Sequence, residues 1–219
     1  MDWLLLQLAD SAFPTGGFAH SAGLEAAWQQ GEVPNAAALQ SFLVDSLWQT
    51  GFSVLPLVNA AHHAPEDLLD LDRRCDIFLT NAVANRASRM QGRALLSTCG
   101  RCFPLPEIAA LQRTAKEAKS CFHYAPLCGA TLRALSVNLF HTQELCLFTQ
   151  LRGMVSAAVR LGIVGPFEGQ QLQFAAYPHV NAVLDRCGEL ERDELAQTAP
   201  LLDLFQATHD RLYSRLFYS

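Results

Sequence analysis

The sequence predicts a single all-α domain over residues 1–219, built from roughly nine or ten helices that are joined by short connections. Leucine and alanine together number 66, whereas valine, isoleucine and threonine together number 24, so helix formers far outnumber strand formers. Apolar residues recur at helical spacing in several segments. Only brief breakers such as GEVPN and VGPFEGQ separate these segments, which favours antiparallel packing of neighbouring helices.

The first element that carries a recognisable pattern is PTGGFAHSAGLE, residues 14–25. Its start, Pro14 to Gly17, is typical of a turn, and Phe18 is predicted to begin a helix. The stretch AHSAG inside it differs from a nucleophile elbow by one alanine, but an elbow needs a preceding strand in a parallel sheet, which the sequence does not predict. A Walker A phosphate loop is excluded because the sequence contains no Gly-Lys dipeptide.

Four later segments each place apolar residues on one helix face. The segment after Pro65 has a face of Leu68, Leu71, Cys75, Phe78 and Ala82. The segment after Pro106 has a face of Ile108, Leu111, Ala115 and Ala118. The longest predicted helix ends before Gly165, and its face is Leu147, Leu151, Met154, Val155, Ala158 and Leu161. Residues 200–217 are predicted as a helix with a face of Leu201, Phe205, Thr208, Leu212 and Leu216.

The cysteines and histidines predict neither a metal site nor a redox centre. The sequence has seven cysteines, no secretory signal and no apolar run of about 18 residues, so we expect a cytoplasmic protein with free thiols and no membrane span. We interpret CGRC, from Cys99 to Cys102, as a loop, and no second C-x-x-C motif completes a zinc site. The seven histidines form no H-E-x-x-H motif and no pair four residues apart, so no metal or other cofactor is predicted.

The clearest sign of an interaction surface is NRASRMQGRALL, residues 85–96. Arg86, Arg89 and Arg93 follow at spacings of three and four and form a cationic stripe without an interleaved acid. The whole sequence has a net charge of -5 and two lysines, so it offers no general attraction to nucleic acid. The stripe instead suits the carboxylates of a protein partner. Between the arginines, Gln91 and Gly92 allow another backbone to approach closely.

Five blocks of the sequence, in order, resemble the family of the urease accessory protein UreF. They are residues 5–25, residues 85–96, HYAPLCGA at 123–130, AAVRLGIVGP at 157–166 and PLLDLFQATHDRLYSRLF at 200–217. The resemblance spans nearly the full chain and implies an all-helical, non-enzymatic homodimer that serves in urease maturation. It further implies that the chain binds the accessory protein UreD (also called UreH). With UreD it would recruit and regulate the GTPase UreG for nickel insertion into the urease apoprotein.

The resemblance, together with the arginine stripe, also assigns partner-binding residues. These are Gly16, Gly17, Phe18, His20, Ser21 and Glu25 in the opening block, Arg86, Arg89, Gln91, Gly92 and Arg93 in the second, and Tyr213, Arg215, Leu216 and Phe217 in the last. A nickel route has been proposed for the family, which makes His20 and Glu25 candidates for a transient nickel path of weak successive sites.

Two other classes of function stay open on the residues alone. A nickel metallochaperone would bind the ion directly, although the sequence offers no His or Cys pairs at ligand spacing. An enzyme, either a serine hydrolase or a thiol redox protein, would need Ser21 or Cys99 to be activated by a partner residue that the sequence does not identify.

Overall fold

The computed structural model describes residues 2–219, and the regular secondary structure in this range is entirely helical. The α-helices are α1 (Trp3–Ala9), α2 (Leu24–Gln29), α3 (Ala36–Ser53), α4 (Leu55–His63), α5 (Leu68–Phe78), α6 (Ala82–Cys102), α7 (Pro106–Glu117), α8 (Tyr124–Ala134), α9 (Leu139–Arg160), α10 (Pro166–Cys187) and α11 (Pro200–Thr208). Short 3-10 helices occupy Gly17–Ala19, Pro65–Asp67 and His209–Arg211. The predicted all-α class with short connections is confirmed.

Local sequence determines where many of these helices begin. Asp2, Asn35, Asn81 and Asn138 precede α1, α3, α6 and α9, and each side chain accepts main-chain N–H groups of the first turn. Prolines stand in the first turn of α7, α10 and α11, where the N–H that proline lacks would have no partner within the helix.

Helix α8 lies in the centre of the hydrophobic core. Every residue from Ala125 to Leu132 is buried. Helix α4 packs against α8 at close range because Gly129 carries no side chain; a Cβ there would collide with the carbonyl oxygen of Val58. Helices α5, α6, α7 and α9 also contact α8, and α3 and α10 pack beside α9. The buried residues of these helices form one continuous hydrophobic core.

Three of the four predicted apolar faces are largely those that the core buries. The buried members are Leu68, Leu71 and Cys75 of α5, Ile108 and Ala115 of α7, and Leu147, Leu151, Met154, Val155 and Ala158 of α9. The fourth is not: on the face of Leu201, Phe205, Thr208, Leu212 and Leu216, no residue is buried, and Leu201 and Leu216 are exposed. The face predicted after Pro65 ends early, since α5 stops at Phe78 and the exposed Ala82 begins α6.

The predicted start of a helix at Phe18 was wrong. Phe18 lies in the 3-10 turn Gly17–Ala19, and 67% of its surface is exposed. Ala22 and Gly23 then adopt positive φ angles of 52° and 86°, which interrupt helical geometry, so α2 begins at Leu24. Gly23 also fits tightly against α11, since a Cβ there would lie 3.1 Å from the main-chain nitrogen of Gln206.

Two further local predictions were wrong. CGRC is not a loop: it forms the last turn of α6, with Cys99 buried and Cys102 exposed. The helix ends at Cys102 because the next residue precedes Pro104, and a residue before proline disfavours helical geometry. The helix predicted over residues 200–217 ends at Thr208. Beyond the 3-10 turn His209–Arg211 the chain is irregular because its N–H groups bind a side chain from the opening block, as described next.

Candidate functional site

The structure brings the opening block and the last block of the sequence into contact. This contact, between residues 16–25 and residues 209–219, is called the junction below. Its centre is the carboxylate of Glu25, of which only 2% is exposed. Oε2 accepts hydrogen bonds from His209 Nε2 at 3.0 Å and from the Phe217 N–H at 3.2 Å, and Oε1 accepts from the Leu216 N–H at 2.6 Å. These three donors compensate the carboxylate for the hydration that it loses on burial.

The second part of the junction pairs main-chain groups with Ser21. The Ser21 N–H and hydroxyl both donate to the main-chain oxygen of Ser219, at 2.5 and 3.0 Å, and the Tyr218 N–H donates to the Ala19 oxygen at 2.8 Å. His20 Nδ1 hydrogen-bonds to Ser219 Oγ at 2.6 Å. The Ser21 hydroxyl is fully buried and donates to a main-chain oxygen rather than to a histidine, so this geometry does not activate it as a nucleophile.

An arginine from α9 closes the edge of the junction. The Arg160 guanidinium lies 3.9 Å from the ring centre of Phe18 and 4.2 Å from that of Phe217, and it donates to the Phe18 oxygen at 2.7 Å. The two aromatic rings therefore flank one cation, an arrangement that is favourable because the faces of aromatic rings are electronegative.

The arginine stripe of α6 borders the junction. Arg86 donates to Asp210 at 2.8 Å, and Arg215 donates to the same carboxylate oxygen at 3.2 Å. The hydrogen bond from Arg86 is the main reason why the pKa of Asp210 lies below its ordinary value. These pairs are exposed and contribute little stability, but they join α6 to the residues that follow α11.

The other two arginines of the stripe face the loop between α7 and α8. Arg89 donates to the Cys121 oxygen at 3.2 Å, and Arg93 lies 5.2 Å from the ring centre of Phe122. An open cavity of about 480 Å³ is lined by all three arginines together with Leu79, Thr80, Ala82, Asn85 and Met90. The stripe thus forms one wall of a concave, cationic surface.

Gly92 does allow close approach of a backbone, but that backbone is the chain's own. Gly92 is buried, and a Cβ at this position would collide with the carbonyl oxygen of Phe122 and lie 2.8 Å from the carbonyl carbon of His123. Gly16 differs from Gly92: a Cβ there would make only an ordinary contact, 3.4 Å from the Cβ of Ala94, but its φ of 79° favours glycine. The neighbouring Gln91 is partly exposed.

One group of potential metal ligands lies next to the stripe, among residues 2–219. Ligand atoms of Asp76, Cys121 and His123 all lie within 4.8 Å of one another. Sequence reasoning predicted no metal site because it searched for histidine pairs four residues apart and for paired C-x-x-C motifs. It did not consider the spacing C-x-H at Cys121 and His123, beside which the structure places a carboxylate from α5.

The structure also adds junction residues that were not among the predicted partner-binding residues. They are His209, Asp210, Ser219 and Arg160. His209 is completely buried, and its Nδ1 has no hydrogen-bond partner within residues 2–219. Hydrogen bonds between Glu25 and residues 184 to 192 positions away leave no trace in local periodicity, which explains why the residues were missed.

We expect the junction to lose stability in mild acid. Burial, and then the charges of Arg86 and His209, lower the pKa of His20 from 6.5 to about 4. Between these two values the unfolded state binds a proton at His20 and the folded state does not, so the free energy of unfolding decreases as the pH falls. The full decrease is at most about 3 kcal/mol.

Urea unfolding between about pH 7 and about pH 4 measures this effect. In the variant His20→Asn the pH dependence should be shallower than in the unchanged chain, because the variant has no imidazole to protonate at this position. The carboxylates titrate in both proteins and do not account for the difference. Equal slopes in the two proteins would contradict the assignment to His20.

No helix within residues 2–219 has the length and apolar character that crossing a membrane requires.

Comparison with known proteins bears on the whole chain. The family model described as UreF matches residues 33–177. A protein of Arabidopsis thaliana named urease accessory protein F is 38% identical over 223 residues, which cover 100% of this chain and 93% of the relative. The protein of the same name from Oryza sativa subsp. japonica is 37% identical, covering 98% and 84%. The urease accessory protein UreF of Arthrobacter sp. (strain FB24) is 30% identical, covering 98% and 96%.

Proposed function

The chain belongs to the UreF family of urease accessory proteins and has a role in urease maturation, and we propose that it fills this role as a non-enzymatic, homodimeric scaffold in the cytoplasm. In this proposal it binds UreD (also called UreH), and the pair recruits the GTPase UreG, regulates it and brings it to the urease apoprotein for nickel insertion. The observation that carries the proposal is the convergence of three sequence blocks: the opening block, the arginine stripe and residues 209–219 meet on one surface.

That surface has the composition of a protein-binding site. Tyr213 is fully exposed, and Phe18, Leu216 and Arg215 are also exposed. Aromatic residues and arginine are the side chains that most often dominate the binding energy of interfaces. The junction holds them on a framework of buried hydrogen bonds, so little conformational entropy needs to be lost when a partner binds.

The chemistry of the candidate nucleophiles supports a binding role over a catalytic one. The hydroxyl of Ser21 is buried and engaged with a main-chain oxygen. Burial, with neighbouring cysteines, raises the pKa of Cys99 to about 12, so its thiol stays protonated near neutral pH. Ser21 therefore lacks the general base that a serine hydrolase requires, and Cys99 lacks the thiolate that a thiol redox enzyme requires.

A homodimer would present this surface twice. Two copies related by twofold symmetry would hold two GTPase subunits near each other, which raises the effective concentration of one for the other.

A transient nickel path along His20 and Glu25 remains part of the proposal. Both oxygens of Glu25 and Nδ1 of His20 are engaged with residues 209–219. Passage of an ion along them therefore requires these residues to move, for example when a partner displaces them.

We expect the unchanged chain, co-expressed with UreD and UreG, to elute with both in size-exclusion chromatography, and Arg93→Glu to weaken this complex. Reversing the charge at the stripe replaces attraction to partner carboxylates by repulsion, and a loss of affinity of about ten-fold is expected. Arg113→Glu on α7 is the matched control, because Arg113 is also an exposed helical arginine but lies outside the stripe.

Far-ultraviolet circular dichroism should show equal helicity in the two variants. Elution of the unchanged chain alone, in the presence of nucleotide and nickel, would refute the scaffold proposal. Equal binding by Arg93→Glu and Arg113→Glu would instead remove the arginine stripe from the interface.

A further inference from the structure

Asp76, Cys121 and His123 come from two parts of the chain and meet beside the arginine stripe. Asp76 lies in α5, and the other two residues lie in the loop that leads into α8. We propose that these three side chains bind a divalent transition-metal cation of borderline character, such as Ni²⁺, Co²⁺ or Zn²⁺. The site is distinct from the path suggested for His20 and Glu25, and the proposal does not depend on the scaffold function.

The distances suit three ligands of one ion. The ligand atoms lie within 4.8 Å of one another, and His123 Nε2 is 3.0 Å from Asp76 Oδ1. In a tetrahedral site with metal–nitrogen and metal–oxygen bonds of about 2.0 Å and a metal–sulfur bond of about 2.3 Å, ligand atoms are roughly 3.3–3.6 Å apart. Small rotations of the two partly exposed side chains, Asp76 and Cys121, are therefore enough to close the site.

The loop that carries two of the ligands is held in shape by a second carboxylate. Asp72 accepts hydrogen bonds from the Cys121 N–H at 2.5 Å, the His123 N–H at 2.7 Å and the Ser120 hydroxyl at 2.8 Å. This support keeps Phe122 at a φ of 69°, a conformation that is strained for a residue with a side chain.

The histidine has the outer support that metal-binding imidazoles usually have. His123 Nδ1 lies 3.1 Å from Ser88 Oγ, and the same oxygen accepts the Tyr124 N–H at 3.1 Å. A proton on Nδ1 that is donated to Ser88 leaves the lone pair of Nε2 free to face Asp76 and Cys121. His123 is completely buried, so its ring cannot turn away to solvent.

Metal binding at this site displaces protons. Without metal, His123 Nε2–H donates to Asp76; with metal, that proton leaves Nε2, either to solvent or by a change of tautomer to Nδ1. The Cys121 thiol also releases its proton to solvent, because thiolate is the form that binds. Hydrogen bonds from Asn85 and His123 lower the pKa of Asp76, which is therefore already ionised. Burial, with Asp72 and Asp76, raises the pKa of Cys121, and a bound cation reverses this effect.

The ligand set determines the class of ion and the strength of binding. Thiolate and imidazole favour transition metals, whereas Mg²⁺ and Ca²⁺ require oxygen ligands. Three protein ligands leave one coordination position open, and the Asp76 side chain, 40% exposed, opens the site to solvent. The positive charge of Arg89, which faces the same loop, weakens binding of a cation. The arrangement therefore suits an exchangeable ion rather than a permanent structural one.

The test is titration of the full chain with Co²⁺, whose thiolate complexes give a charge-transfer band in the near ultraviolet. We expect the band to saturate at one equivalent and to be removed by Zn²⁺, which gives no such band, but not by an equal amount of Mg²⁺. Cys121→Ser should abolish it, and Asp76→Asn should weaken Co²⁺ binding by roughly 10- to 100-fold. Cys102→Ser is the matched control, because Cys102 is exposed at the far end of α6, and it should leave the band unchanged.

Circular dichroism on each variant shows whether a loss of the band is due to unfolding. His123 is not the first residue to replace because it is completely buried, so its removal could unfold the protein. Absence of the band in the folded, unchanged chain would overturn the proposal and leave the His123–Asp76 contact as a structural pair. Survival of the band in Cys121→Ser, or displacement by Mg²⁺, would overturn it as well. None of these results changes the expected elution with UreD and UreG, so failure here and failure of the scaffold proposal are distinguishable.

Discussion

Replacing Glu25 by alanine is expected to lower the free energy of unfolding by about 3–5 kcal/mol, the range found when one partner of a buried ionic contact is removed. The change leaves the N–H groups of Leu216 and Phe217 and the buried imidazole of His209 without their acceptor. Residues 209–219 should then detach from the opening block. The measurement is urea unfolding combined with hydrogen exchange of the amides of these residues.

The matched control for this variant is Glu32→Ala. Glu32 follows α2 and is exposed, so its removal should change stability by less than about 0.5 kcal/mol. Glu25→Gln keeps the shape and one acceptor oxygen and should fall between the two. If Glu25→Ala unfolds at the same urea concentration as Glu32→Ala, the junction does not stabilise the protein in the way that its buried hydrogen bonds indicate.

Replacing Gly92 by alanine is expected to destabilise the protein by about 1–2 kcal/mol, although alanine is the better helix former. The added Cβ would collide with the Phe122 oxygen, and that oxygen belongs to a loop which Asp72 holds by three hydrogen bonds. Overpacking against a fixed backbone costs about 1–3 kcal/mol or more, which outweighs the gain in helix propensity of up to about 1 kcal/mol. Thermal or urea unfolding measures the net effect.

Gly153→Ala is the control for Gly92→Ala. Gly153 is also inside a long helix, α9, but a Cβ there meets no neighbouring atom within 4 Å. This variant should therefore gain about 0.5–1 kcal/mol. The two substitutions are chemically identical, and opposite signs are expected. The same sign in both would mean that the loop at Phe122 yields to α6 at little cost.

Local patterns were enough to predict most of the helices. The faces of α7 and α9 followed from residues such as Ile108 and Leu147, because burial of one face imposes a period that is visible in any single helix. The predictions failed where the backbone conformation is determined by turns or by contacts with distant residues rather than by the apolar pattern of the local segment. Helix α2 begins at Leu24, six residues after the predicted start at Phe18, because Ala22 and Gly23 take positive φ angles.

The candidate site was predicted only in part for the same reason. Sequence reasoning found Arg86, Arg89 and Arg93 by their spacing, but it could not find Asp210 or Phe122, which these arginines contact. The last predicted helix likewise ended at Thr208, since the N–H groups of residues 216 and 217 bond to Glu25 instead of to the preceding turn. Such contacts join distant residues, and no periodicity records them.

The contact between Glu25 and residues 209–217 has a consequence for the order of folding. Its partners are 184 to 192 positions apart, and closing a flexible loop of that length costs an entropy equivalent to about 4–5 kcal/mol. Contacts of this kind form after the local helices and are largely absent from the folding transition state. Changes at Glu25 should therefore accelerate unfolding while leaving the folding rate almost unchanged. We therefore expect residues 209–219 to close last when the protein folds and to open first when it unfolds.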